Sequence, residues 1–364
     1  MSTPLNAQNS VNITWDFGTA YELFASLYAF NSPKYHGIRA GWAAGVRSRI
    51  PEKERKLLED AYMFVCVPWA WIHSLPAPKD AVSALWVLKQ IPPAERLIEI
   101  LCIDESLPEA EAEKDILDRI FLRVARTGAW ETADLHQALT HWDKKEGIDQ
   151  DTKRLTRFLD WCARPAELGE LFLSALQSYY QAFFEDEEKR IGPVLQAGLE
   201  RAQALASRLT LEEFFLEISR GIQLSEKYRA ANYIIAPAFW TTPLLSHQKF
   251  DKNTVFLLFG ARPVNMAAIP GEEAPEDLVR ALKALADPTR LRILRYLSTE
   301  ELAPSELARR LRLRAPTITH HLKELRLAGL VYLDIQKKET RYRIRPEAFS
   351  LMDDTLKKHL QIGS

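Results

Sequence analysis

The sequence predicts a mainly α-helical protein. A large amino-terminal helical domain carries a short β-hairpin, and a smaller carboxy-terminal domain of short helices ends in a second hairpin. Three observations predict this. Apolar residues recur at the helical spacing of three and four through most of the chain. Strand-like segments are few and sit in two places. Composition also changes along the chain. All nine tryptophans lie between Trp15 and Trp240, and Glu276 to Ser364 holds 18 Lys and Arg against 12 Asp and Glu, leaving 30 against 37 before it. A Trp-rich acidic body thus precedes a basic, Trp-free domain.

These features set the expected domains: 1–262 as a mostly helical sensor or dimerisation domain, 263–277 as a linker, and 278–364 as the basic domain. The stretch PVNMAAIPGEEAPED concentrates the Pro, Gly and acid typical of a connection. With 364 residues, 47% hydrophobic and 27% charged, the composition is that of an ordinary globular protein. No apolar run is long enough to span a membrane, and MSTPLNAQNS lacks the basic and apolar regions of a secretion signal. Cys66, Cys102 and Cys162 are scattered without CxxC spacing, which points to a reducing cytoplasm and away from structural zinc.

In the body, RKLLEDAYMFV (55–65), ERLIEILCI (95–103), DILDRIFLRVA (115–125) and LTLEEFFLEI (209–218) read as amphipathic helices. NYIIAPAFW (232–240) and NTVFLLFG (253–260) read as apolar strands joined by a Pro-containing loop, the expected short hairpin. The tryptophans of PWAWIH (68–73) and APAFW (236–240) are expected in the core, with a ligand pocket as the alternative. No GxSxG, HExxH, P-loop or strand-to-helix GxGxxG occurs, so no enzyme is expected. Asp134, His136, His141 and Asp143 do not share one helical face, so no metal site is expected there either, and no cofactor is implied.

The carboxy-terminal domain can be read helix by helix. EDLVRALKALA (276–286) places Leu278, Leu282 and Leu285 on one face. Asp287 is a suitable N-cap and Pro288 suits the first helical position, where no amide hydrogen is needed; Leu291, Leu294 and Leu297 then form a stripe. PSELARRL (304–311) is a third helix. After a break at RLRAP, a fourth runs from about Pro316 to Ala328 and ends at Gly329, which can adopt the left-handed conformation while Leu330 folds back on Leu325. The period then changes to two: LVYLDI (330–335) and TRYRIR (340–345) flank a polar QKKE turn. The last stretch, PEAFSLMDDTLKKHL, reads as a closing helix. Two short helices with a tight break, then a hairpin, make a winged helix-turn-helix.

The stretch APTITHHLKEL contains an adjacent histidine pair that invites a metal or catalytic reading. At about 100° per residue, Leu322 and Leu325 fall close to Ile318, His321 flanks that buried side, and His320 points away from it with Lys323. Adjacent rings on a helix do not converge on one ion. The outer face instead offers hydroxyls, an imidazole and a lysine, groups that meet base edges and phosphates in a major groove. Thr317, Thr319 and His320 are the candidate base contacts, with Lys323 and Arg326 nearer the backbone. Arg309 to Arg345 holds eleven basic residues against three acidic ones, so Arg314 and the wing residues Lys337, Lys338, Arg341 and Arg343 join the candidate DNA-binding set. His321 is read as a brace for the helix with a phosphate role as its alternative.

ALADPTRLRILRYL, SELARRL, PTITHHLKELRLAGLV and KKETRYRI, in this order and spacing, resemble the ArsR-type bacterial transcription regulators over about 276–350, a fifth of the chain. The resemblance implies a double-stranded DNA partner, a homodimer formed through the first and last helices of the domain, and a repressor relieved by ligand. It also matches His321 to a histidine common on the family's recognition helix. The chain departs from the family at Arg314, often Ser or Asn, and at Ala315, often polar. Many relatives sense metal through cysteines on the helix before the recognition helix, and PSELARRL has none. Others use the last helix, where Asp353, Asp354 and His359 depart from the usual ligand spacing and read as helix surface. The helical body with its IIAP segment is also similar to an uncharacterised segment that precedes the helix-turn-helix in some ArsR-like regulators.

The expected function is therefore a cytoplasmic, homodimeric DNA-binding repressor on a pseudo-palindromic operator, with a small-molecule effector in the amino-terminal domain and no membrane partner. The alternatives are an enzyme, or a protein-interaction domain, that carries the winged helix as an auxiliary module.

Overall fold

A computed structural model of the chain describes residues 11–64, 67–101, 116–141, 148–223, 229–335 and 340–362. The chain forms two compact units. One comprises Met1–Phe17, Lys34–Ile38 and Ile191–Ser364; the other comprises Gly18–Pro33 and Arg39–Arg190. The segment 263–277 lies inside the first unit. Ala267, Ala268 and Ile269 are buried there, and the Glu276 carboxylate accepts from the Ala268 and Ile269 amides (2.7 and 3.3 Å) while pairing with buried Arg262 at 2.7 Å.

The second unit is helical. Glu52–Phe64 covers 55–64 of the expected 55–65 helix and packs against Ile148–Cys162 and Pro165–Tyr179. Asp60 is buried on it and held by Arg157 (2.5 and 2.7 Å) and Arg154 (3.1 Å). Trp69 and Trp71 are buried against Tyr21 and Phe24, so these tryptophans are core. Ile116–Thr127 matches the expected 115–125 helix. Asp134 is occupied by Arg123 and the Glu131 amide, while His136 is exposed; Asp143, Cys66 and Cys102 lie outside the described residues.

The first unit is built on a sheet of β1 (Asn12–Trp15), β3 (Asn232–Ala238), β5 (Thr254–Gly260) and β4 (Ser246–Lys249), in that spatial order. This corrects the expected hairpin. β3 and β5 run parallel, with Ile234 opposite Phe256, and β1 joins β3 in parallel; only β4 is antiparallel to β5. Both central strands are buried along nearly all their length, and a strand covered on both faces reads as an unbroken apolar run, the usual signature of parallel pairing. Helices α1 (Glu185–Ala206, in this unit from Ile191) and α2 (Leu211–Ile218) precede β3. Thr210 caps α2: its hydroxyl oxygen accepts from the Glu213 amide, and its own amide donates to the Glu213 carboxylate.

The carboxy-terminal helices are α3 (Glu276–Leu285), α4 (Pro288–Leu297), α5 (Pro304–Leu311), α6 (Ala315–Leu327) and α7 (Pro346–His359), with wing strands β6 (Val331–Ile335) and β7 (Thr340–Ile344). Asp287 accepts from the Arg290 amide, the predicted cap. Gly329, at φ +69°, sends its amide to the Arg326 carbonyl, and the Leu330 amide reaches Leu325, the paired bonds of a Schellman ending. The predicted stripes need correction. Leu282 and Leu291 are 40% and 50% exposed, because α3 buries Leu278, Ala281 and Ala284, and α4 buries Ile293, Leu294 and Leu297. One further strand was not expected. β2 (Ile222–Gln223) pairs in parallel with β6, so the wing belongs to a three-stranded sheet.

Candidate nucleic-acid interface

The recognition element is α6, and its orientation is fixed from inside. Ile318, Leu322 and Leu325 are all 0% exposed, inserted in a core with Leu307, Leu311 and Val331. Burying three such side chains contributes several kcal/mol, about 1.5–3 for each, which is enough to lock the rotation of a short helix. The break before it is made by Arg312, which adopts the left-handed conformation (φ 55°) and ends α5. α5 opens with the Ala303 amide donating to Glu306 at 2.8 Å.

With the inner face locked, the outer face follows. Arg314, Thr317, Thr319, His320 and Lys323 are exposed. Arg314 stands at the N-cap position without a capping bond from its side chain, so its guanidinium is left to the surface. The Thr319 hydroxyl donates to the Ala315 carbonyl at 3.0 Å, which leaves it an acceptor toward an outside donor. His320 and His321 have ring centroids 6.0 Å apart. They face different surroundings: His320 lies in the open, and His321 is mostly covered with its Nδ1 3.9 Å from the Asp287 carboxylate. Asp287 is held below the usual carboxylate range, first by the Arg290 amide and also by the His321 charge. His321 therefore connects α6 to the cap of α4.

The remaining candidates are distributed unevenly. Arg326 is half-buried and near Tyr342; burial raises the Tyr342 hydroxyl's pKa, against the Arg326 charge. Arg341 donates to the Glu301 carbonyl at 3.0 Å and lies 3.5 Å from the Glu306 carboxylate. Arg343 lies 3.5 Å from Glu301 and stacks 4.0 Å from the Tyr332 ring. These two wing arginines thus have carboxylate partners within the domain that a phosphate would have to displace. Lys337 and Lys338 lie outside the described residues.

Sequence reasoning missed two contributors. Tyr35, in the Pro33–His36 helical turn, places its ring 5.3 Å from Lys323 Nζ. Behind it, buried His36 is held down at about 3, chiefly by burial and then by the charges of Arg280 and Arg262. Nothing local in "PKYHGI" signals either contact, since the partners come from far along the chain.

A helix-turn-helix domain model matches residues 285–332, the span from the end of α3 into β6. The chain is also similar to the arsenic resistance transcriptional regulator ArsR1 of Pseudomonas putida. The two are 38% identical over 94 residues, which cover 25% of this chain and 73% of that protein. No helix among the described residues is long and apolar enough to cross a membrane. The locked recognition helix, the basic outer face and this match together place the chain, through its carboxy-terminal quarter, in the ArsR family of DNA-binding transcription regulators.

Proposed function

We propose that the protein is a homodimeric, ligand-responsive repressor that acts in the cytoplasm on a pseudo-palindromic operator, and that it works by binding rather than by catalysis. The observation that carries this reading is the division of α6 into a buried apolar face and an exposed face of Thr317, His320 and Lys323, which suits a helix laid in the major groove. Support for a dimer comes from the apolar side chains left exposed on the domain: Leu282 on α3, Leu351 on α7, and Leu360 and Ile362 beyond it. Exposed apolar surface, where it is contiguous, marks an interaction site. α3 and α7 also pack against each other, so the helices that carry Leu282 and Leu351 are neighbours. In a twofold dimer the two recognition helices would lie about 34–36 Å apart, one turn of DNA.

Selection of genomic fragments by the purified full-length protein, followed by footprinting, tests the proposal. The expected result is a protected site with two inverted half-sites about ten base pairs apart. Failure to enrich any fragment over bulk DNA at low salt would overturn it.

A further inference from the structure

The first unit contains a cleft of about 500 Å³, within the range of small-molecule sites. One side is the carboxyl end of β5, with Phe259, Gly260 and the following Pro263–Asn265. In open sheets with parallel strands, ligands bind outside the carboxyl ends of those strands. Another side comes from the DNA-binding domain: Leu278 and Ala281 of α3, the Leu327–Leu330 ending of α6, and Met352 of α7. An occupant would touch both the sheet and the end of the recognition helix.

The chemistry of the walls is mixed in an informative way. Leu205, Ile218, Phe259, Leu278, Leu330 and Met352 supply apolar surface. Four arginines, Arg201, Arg220, Arg262 and Arg345, line the cleft against two carboxylates, Glu217 and Asp277. Asp277 is already taken by Arg220 at 2.8 Å, with Arg262 at 3.7 Å. Arg262 is almost fully buried, yet its Nε has no hydrogen-bond acceptor, an expensive state for a charged donor. Arg345 is 12% exposed; its Nε pairs with the Glu347 carboxylate at 3.2 Å, and its guanidinium also donates to the Arg220 carbonyl at 3.1 Å. Arg220 donates in turn to the Arg262 carbonyl at 2.8 Å. Arg220, Arg262 and Arg345 are thus linked to one another through backbone carbonyls at the cleft wall.

We propose that this cleft is the effector site and that it takes an organic anion: an acid group on the arginine side and an apolar aryl or alkyl body against the leucines. The inference rests on the reading of the protein as a ligand-responsive DNA-binding regulator. Arg280 donates to the Leu327 carbonyl at 3.3 Å, so the end of α6 is tied to α3 at the cleft wall. A ligand seated there favours whichever arrangement of α3 and α6 it fits better, and DNA affinity follows.

The experiment uses the full chain with 8-anilinonaphthalene-1-sulfonate as the apolar anion and N-phenyl-1-naphthylamine as its neutral counterpart. One sulfonate per chain is expected, with the neutral dye at least tenfold weaker. Arg201→Glu, a reversal at the exposed rim, is expected to weaken the anion about tenfold, and Met352→Trp to abolish binding by filling the cleft. Saturating anion is expected to change affinity for the selected genomic fragment at least fivefold. Equal binding of both dyes, or no loss in Arg201→Glu, overturns the site. An apparent Kd that climbs in proportion to protein concentration does so too, since a second copy would then be covering the cleft. Unchanged DNA affinity with bound anion overturns the effector role. If Met352→Trp loses its cooperative melting transition, Arg201→Glu decides. DNA selection without dye reads the regulator proposal independently, so the two can fail separately.

Discussion

Lys323 Nζ lies 5.3 Å from the centroid of the Tyr35 ring. A residue from the amino-terminal part of the chain is therefore in contact with the recognition helix, at a lysine that the proposed function assigns to the DNA backbone. Cation–π attraction at such an exposed site amounts to about 0.5–1 kcal/mol, and it competes with phosphate for the same ammonium group. Tyr35→Leu is expected to raise affinity for nonspecific DNA about two- to fivefold at low salt, read by fluorescence anisotropy. An unchanged or reduced affinity would show that the contact does not restrain the lysine.

The two histidines of α6 are expected to respond differently. His320→Ala should weaken operator binding by about 1–3 kcal/mol, the range for a base-edge contact, with a smaller effect on nonspecific DNA. Equal loss on both would make His320 a backbone contact. His321→Ala should act through folding, because His321 faces the Asp287 cap of α4 at 3.9 Å. A partly exposed ion pair of this kind contributes at most about 1 kcal/mol, so a small fall in melting temperature is expected, with operator affinity nearly intact once the protein is folded.

His36 makes stability depend on pH. Its folded value is lowered to about 3 from 6.5, by burial first and then by Arg280 and Arg262. Between those values the unfolded chain binds a proton and the folded chain does not. Stability therefore falls as pH drops from about 6.5 toward 3, with a slope approaching about 1.4 kcal/mol per pH unit from this group. Denaturant titrations across the window should show His36→Gln with a shallower acid dependence than the parent. Parallel curves would mean that His36 is not the group responsible.

Gly221 immediately precedes β2, the short strand that pairs with wing strand β6. It has φ +108°, and a Cβ there would fall 2.8 Å from Tyr332 Cδ1, while its carbonyl accepts from the Leu333 amide at 3.0 Å. Gly221→Val combines an unfavourable backbone conformation with a steric clash, so a loss of about 2 kcal/mol or more is expected. Thermal melting checks the loss. Hydrogen exchange should place it in β6 and β7, and protection there equal to the parent's would refute the role of this junction.

The sequence by itself determined the helix-turn-helix and the wing. Pro304–Leu311 is read from its own residues, α6 within one residue of its observed start and end, and the Asp287 cap and Gly329 ending from single positions. Caps, turns and three-four periodicity are interactions between near neighbours, so they are written locally. The outward direction of His320 follows from the same periodicity, since Ile318, Leu322 and Leu325 can be buried only on one side. Tertiary structure alone decided the rest. It paired β3 with β5 in parallel, brought β1 to that sheet and β2 to the wing, and turned Leu282 and Leu291 outward. It also set Tyr35 against Lys323, gave Arg341 and Arg343 carboxylate partners, and gathered Arg201, Arg262 and Arg345 around one cleft. Each of these joins residues distant in the chain. Such pairs share no spacing, and only the packing of complete elements determines which distant faces meet.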